Sequence, residues 1–178
     1  MRSYVVLDTA FLAATVDSSD VFHNDAVFLF KELIERKNSV KILVPPLVLY
    51  ELIVILRRKG VKPANLEKIL FRFINLDYVS VLALSEMSAL KHAAHSLNDK
   101  SQKTAMRTHD FLIFCVADEF EGLLVTFDRK MIDKCKTIYP HVYYPAKVGG
   151  LTDDTAIILQ EIDKKAGKDI SRIPYPSP

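Results

Sequence analysis

A chain of 178 residues, 49% of them hydrophobic, can bury one substantial core without disulfides or structural zinc, so a single domain is expected. Its 24 Lys and Arg stand against 22 Asp and Glu, and a formal charge of +2 provides no bulk basic surface, so any nucleic-acid contact must be local. Cys115 and Cys135 stand alone, without a CxxC pair or an N-terminal secretory signal, which fits a reducing, cytoplasmic setting.

Tyr4 to Leu7 is a short valine-rich run that stops at Asp8, the pattern of a buried first strand. Ala26, Leu29, Phe30 and Leu33 recur at helical spacing and predict an amphipathic helix starting near Asp20; Phe22 and Phe28 fall outside its main stripe, either on a partner surface or on a wider buried face. Val40 to Val44 is a second strand. Pro46 can open the next helix, in which Leu47 to Leu56 carries nine apolar residues around Glu51 before Arg57, Arg58, Lys59 and Gly60 close it. The apolar stretch Ile42 to Leu56 is broken by Pro45, Pro46 and Glu51 and is shorter than the roughly 20 residues of a membrane span, so no membrane role follows.

Leu66, Ile69, Leu70, Phe73 and Ile74 mark a helix behind Pro63, and Val79 to Leu84 a third strand. Ser85 can cap a helix that turns Leu90, Ala93, Ala94 and Leu97 inward, leaving His92 and His95 at its flanks as surface residues. Thr108 is placed as the N-cap of a deeply buried helix through Phe111 and Val116 that ends at Gly122. Leu123 to Phe127 is a fourth strand ending at Asp128, a helix of mixed polarity follows, and His141 to Tyr144 is a fifth strand. Asp153 and Asp154 behind Thr152 favour a C-terminal helix start, and Ser171 to Pro178, with three prolines, reads as a loose tail. Strands alternating with helices predict a mostly parallel sheet of four or five strands covered by helices on its faces.

In such a sheet the C-terminal strand ends share one edge, and each crossover helix starts there. Asp8 and Asp128 follow strands and Asp110 lies in the first turn of its helix, so the three face one crevice. Glu51 lies about 7 Å along its helix at about 1.5 Å per residue, but its Cα–Cβ bond leans back toward the helix start. Singly, Asp8, Asp110 and Asp128 are each explained by helix capping or a helix start. Glu51 resists that explanation, because its neighbours Leu47, Val48, Val54 and Ile55 are apolar. Like charges at about 4 Å repel by about 4 kcal/mol near a protein surface, so four gathered carboxylates call for protonation or a cation. Oxygen donors suit Mg²⁺ or Mn²⁺, where zinc would recruit Cys or His. A metal so held could activate water against a phosphodiester, with Asp110 or Asp128 helping to deprotonate it.

VLDTAF at Val6 to Phe11, VPPLVLYEL at Val44 to Leu52, THDFLIFCVADEFEG at Thr108 to Gly122 and LLVTFDRKM at Leu123 to Met131 resemble, in order and spacing, the motifs of PIN-domain ribonucleases, especially VapC-like toxins. The resemblance covers residues 1–147, leaving 148–178 as a C-terminal helix and Pro-containing tail. It implies a three-layer α/β/α domain, a Mg²⁺ or Mn²⁺ site held by Asp8, Glu51, Asp110 and Asp128, and endonucleolytic cleavage of RNA. It gives Thr126 the hydroxyl position of the last motif, where it orients water. It further implies a homodimer and an antitoxin protein whose segment blocks the crevice.

Lys100, Lys103 and Arg107 before Asp110, and Arg129 and Lys130 after Asp128, are candidates for holding RNA phosphates, though ordinary solvated positions explain them equally well. His109 is placed either on substrate or in a local hydrogen bond at its helix start. Three other readings stay open: a ribonuclease trimming ribosomal precursors, a noncatalytic RNA-binding scaffold of the same fold, and a phosphoacceptor signalling domain, which has no use for Glu51.

Overall fold

The computed structural model describes residues 2–82, 106–136, 138–146 and 154–167. Five strands, β1 (Ser3–Leu7), β2 (Val40–Val44), β3 (Val79–Val81), β4 (Leu123–Val125) and β5 (Val142–Tyr143), form one sheet in the order β3-β2-β1-β4-β5. Every neighbouring pair is parallel, with Val5 opposite both Ile42 and Leu123. Helices cover it: α1 (Thr9–Val16), α2 (His23–Glu35), α3 (Pro46–Arg58), α4 (Pro63–Ile74), α5 (Thr108–Glu119), α6 (Arg129–Cys135) and α7 (Thr155–Lys165). A sheet buried on both faces requires continuous apolar strands, and Val5, Val6, Leu7, Leu123, Leu124 and Val125 are all fully buried.

The strand order reverses at β1, with β2 on one side and β4 on the other, so the crevice of this doubly wound sheet opens beyond the ends of β1 and β4. Asp8 and Asp128 follow those two strands. Close passage of the chain into β4 depends on Gly122, where a Cβ would meet the Tyr4 carbonyl oxygen at 3.2 Å. Pro46 and Pro63 each stand at the start of their helices, where the missing N–H costs nothing. α5 is buried along most of its length, from Phe111 through Ala117.

Several boundaries differ from the sequence reading. α2 starts at His23 rather than near Asp20, because the Asp20 carboxylate accepts the Phe22 N–H and holds a turn there. Arg107, not Thr108, occupies the cap position of α5, without a side-chain capping bond. β3 and β4 end at Val81 and Val125, short of Leu84 and Phe127, although Thr126 N–H still reaches the Tyr143 carbonyl at 3.2 Å. Asp154 precedes α7 but its carboxylate accepts the Tyr144 N–H at 2.9 Å instead of capping the helix. α7 packs on the main core through Ile158, Leu159 and Ile162, and its buried Asp163 pairs with Arg36 at 3.2 Å. The helix expected behind Ser85, with His92 and His95, lies outside the described residues, as do Lys100, Lys103, Thr152, Asp153 and the tail Ser171 to Pro178. No described helix is long and apolar enough to cross a membrane.

Candidate active site

A cavity of about 540 Å³ opens at the crevice, and Asp8, Glu51, Asp110 and Asp128 all line it. They arrive from the end of β1, the second turn of α3, the first turn of α5 and the segment after β4. Asp8 is buried, its Oδ1 accepting the Thr9 N–H and its Oδ2 the Thr126 hydroxyl, both at 2.6 Å. Burial pushes its carboxyl up to about 6, with Asp110 and Asp128 repelling its charge and the two hydrogen bonds opposing the shift. The Asp110 carboxyl is also raised, first by burial and then by Asp128.

Glu51 has two partners. Its Oε2 accepts the Thr9 hydroxyl at 2.6 Å and its Oε1 faces His109 Nδ1 at 2.7 Å. Thr9 thus ties the first acid to the acid of α3, by N–H to one and by hydroxyl to the other. Not all of the apolar neighbours of Glu51 are shielded: Val54 is 47% exposed, and the glutamate stands half-open on the cavity wall.

Thr126 is fully buried, donates its hydroxyl proton to Asp8 and accepts the Asp128 N–H at 2.9 Å. Asp128 in turn accepts from Lys130 N–H and Met131 N–H through Oδ1, capping α6. The capping and site readings of Asp8 and Asp128 therefore both describe the same side chains.

Arg58 and Arg107 also line the cavity, together with the exposed Tyr50 and Val54. Arg129 and Lys130 are exposed on the first turn of α6 and do not line the cavity. Sequence reasoning missed Arg58, Tyr50 and the bridging role of Thr9. The spacing held the first two: Tyr50, Val54 and Arg58 follow one another at i, i+4 and i+8 on the face of α3 beside Glu51.

Among the described residues, no three Asp, Glu, His or Cys side chains stand arranged to hold one ion in their present rotamers. The donor chemistry nevertheless fits a hard divalent cation. Four carboxylates share the cavity lining with two arginines, leaving an excess of negative charge whose mutual repulsion shows at Asp8 and Asp110.

The PIN domain family model matches residues 5–136. No curated protein sequence matches. Among solved structures, the chain is similar to VapC20 of Mycobacterium tuberculosis, a sarcin-ricin loop cleaving toxin, at 20% identity and a TM-score of 0.54 over 72% of this chain and 93% of that one. It is also similar to VapBC2 from Rickettsia felis, solved with a DNA fragment from its promoter, at 16% identity and a TM-score of 0.56 over 79% and 96% of the two chains. At such identities the likeness establishes a shared fold.

Proposed function

Because the chain belongs to the PIN-domain family, we propose that it is a metal-dependent endoribonuclease, the toxin of a toxin and antitoxin pair acting in the cytoplasm. What supports this most is the convergence of Asp8, Glu51, Asp110 and Asp128 from four separate segments on one cavity at the switch point of the sheet. The four carboxylates would hold Mg²⁺ or Mn²⁺, which when bound polarises the phosphodiester, acidifies water and stabilises the leaving oxygen.

The protein's own groups divide the remaining work. Arg58 and Arg107 receive the negative phosphate, which the carboxylates alone would repel. Asp110 or Asp128, both of which line the cavity, takes the proton of the attacking water. Thr126 is a positioning residue, since its one proton is committed to Asp8 and it fixes that carboxylate against the Asp128 backbone. Thr9 and His109 hold Glu51 at the wall until the site is loaded. In solution the protein would pair with a second copy and be silenced by an antitoxin segment over the crevice; likeness to the VapBC2 structure from Rickettsia felis supports a protein partner.

Incubating the purified chain with mixed RNAs, with Mn²⁺ or with EDTA, and mapping the new ends tests the activity. Cleavage that needs the metal and disappears in Asp8→Asn is expected. Metal-independent ends, or an undiminished rate in that variant, would overturn it. Growth arrest on expression, relieved by a protein encoded beside it, separates a toxin from a ribosomal-precursor ribonuclease.

A further inference from the structure

A second cavity, of about 500 Å³, adjoins the acidic one and shares Ala10 and Ile55 with it. Its floor is α1, where Ala10 and Ala13 lie one turn apart and their small side chains leave the groove open. Phe22 and Phe127 form another wall. They end an aromatic ladder: Phe11 stacks on Phe127 with centroids 5.5 Å apart and 22° between planes, and Phe127 on Phe22 at 4.6 Å and 11°. Phe11 and Phe127 are buried, whereas Phe22 is only half-buried. Because Phe127 sits between Thr126 and Asp128, the ladder is anchored on the segment that carries part of the acidic centre.

Charge decides what suits this cavity. Lys59 on its wall is paired with Asp17, and Asp20 adds a carboxylate, so no surplus positive charge is left to draw a phosphate. An uncharged, planar, apolar-faced group fits such a wall. Because Ala10 and Ile55 line both cavities, a strand whose scissile phosphate lay at the acids would have a neighbouring nucleoside within reach of the second cavity.

We infer that this cavity is a nucleobase subsite, holding one unstacked base beside the cut bond as a further ring on the Phe11–Phe127–Phe22 ladder. The inference rests on the ribonuclease reading. Such stacking is tolerant of base identity, so the subsite would favour single-stranded RNA over duplex rather than select a sequence.

The test uses the full chain with Ca²⁺ in place of Mn²⁺ and oligoribonucleotides carrying 2-aminopurine at one position each. Fluorescence quenching is expected at one position. Phe22→Leu, which removes the terminal ring, and Ala13→Leu, which fills the groove, should each abolish that quenching and weaken binding about tenfold. Both losses should vanish on RNA that is abasic at the same position. Quenching at no position, or unchanged binding by both variants when circular dichroism shows them folded, overturns the subsite. Failure of the ribonuclease reading looks different: the wild-type chain would bind and quench, yet cut no RNA with Mn²⁺.

Discussion

Asp8→Asn should abolish cleavage and at the same time stabilise the metal-free protein. The Asp8 carboxyl is raised from 3.8 to about 6 in the folded state, so between those values the folded chain binds more protons than the unfolded one. Stability therefore falls as pH rises through that window, and above it the folded state carries the full cost of a buried charge. At about 1.4 kcal/mol per pH unit, that cost is about 3 kcal/mol at pH 7.5. Asparagine removes it but cannot accept from both Thr9 N–H and the Thr126 hydroxyl, losing one hydrogen bond worth about 1 kcal/mol. The net gain is about 2 kcal/mol, or about 6 °C in melting temperature for a domain of this size. Near pH 4.5, where the wild-type carboxyl is protonated when folded, linkage reduces the gain to about zero. Urea unfolding of both proteins in EDTA at the two pH values measures this. A variant less stable than wild type at pH 7.5, or a difference that does not change with pH, would refute the reasoning. Adding Mn²⁺ should reverse the order, since an ion at about 100 times its Kd stabilises wild type by about 2.7 kcal/mol and the variant by less.

Thr126→Val keeps the shape but strips partners from Asp8 Oδ2 and the Asp128 N–H; it should cost about 2 kcal/mol in urea unfolding and move the Asp8 titration, followed by carboxyl carbon NMR, further upward. Asp163→Ala leaves Arg36, 13% exposed, with Glu32 but without its α7 partner and should cost about 2 kcal/mol in the same assay while cleavage at a permissive temperature is unchanged. RNA affinity should fall steeply with added salt, and Arg107→Ala should reduce the slope of log K against log salt by about 1, whereas Lys41→Ala, which bonds the Asp77 carbonyl away from the cavity, should leave it unchanged.

The sheet was legible because its strands are largely buried on both faces: runs such as Val40 to Val44, apolar apart from Lys41, end abruptly, and their parallel pairing follows from the intervening helices. The approximate meeting place of the acids was legible for the same reason, since parallel topology alone brings strand ends together. Strand ends near the crevice were harder, because Thr126 and Phe127 are as apolar or β-favouring as strand residues but are used for a hydroxyl bridge and an aromatic ladder. The exposure around Glu51 was hidden on a different ground. An apolar residue in a sequence is not thereby buried, and Val54 and Tyr50 line an open rim instead of a core. Thr9 was invisible as a bridge because its second partner, Glu51, lies 42 residues away; sequence shows a cap's local bond and nothing of a tertiary one.

The strongest objection from sequence was that Asp8 and Asp128 could simply cap helices, and they do. The geometry makes this no objection. A crossover helix begins where a parallel strand has just ended, so the N-cap position and the crevice at the sheet edge are one place. A carboxylate has two oxygens and about four lone pairs, and a cap needs only one or two of them. Asp128 gives Oδ1 to the Lys130 and Met131 amide protons of α6, which leaves Oδ2 outside the cap. Capping holds that carboxylate in a fixed rotamer against the backbone, which is what a ligand needs before an ion arrives. Glu51 lacks such a cap and depends instead on Thr9 and His109. Its carboxylate is held by side chains alone and not by a helix cap, and Glu51→Gln should weaken Mn²⁺ binding, measured by calorimetry, with less effect on stability in EDTA than any change at Asp8.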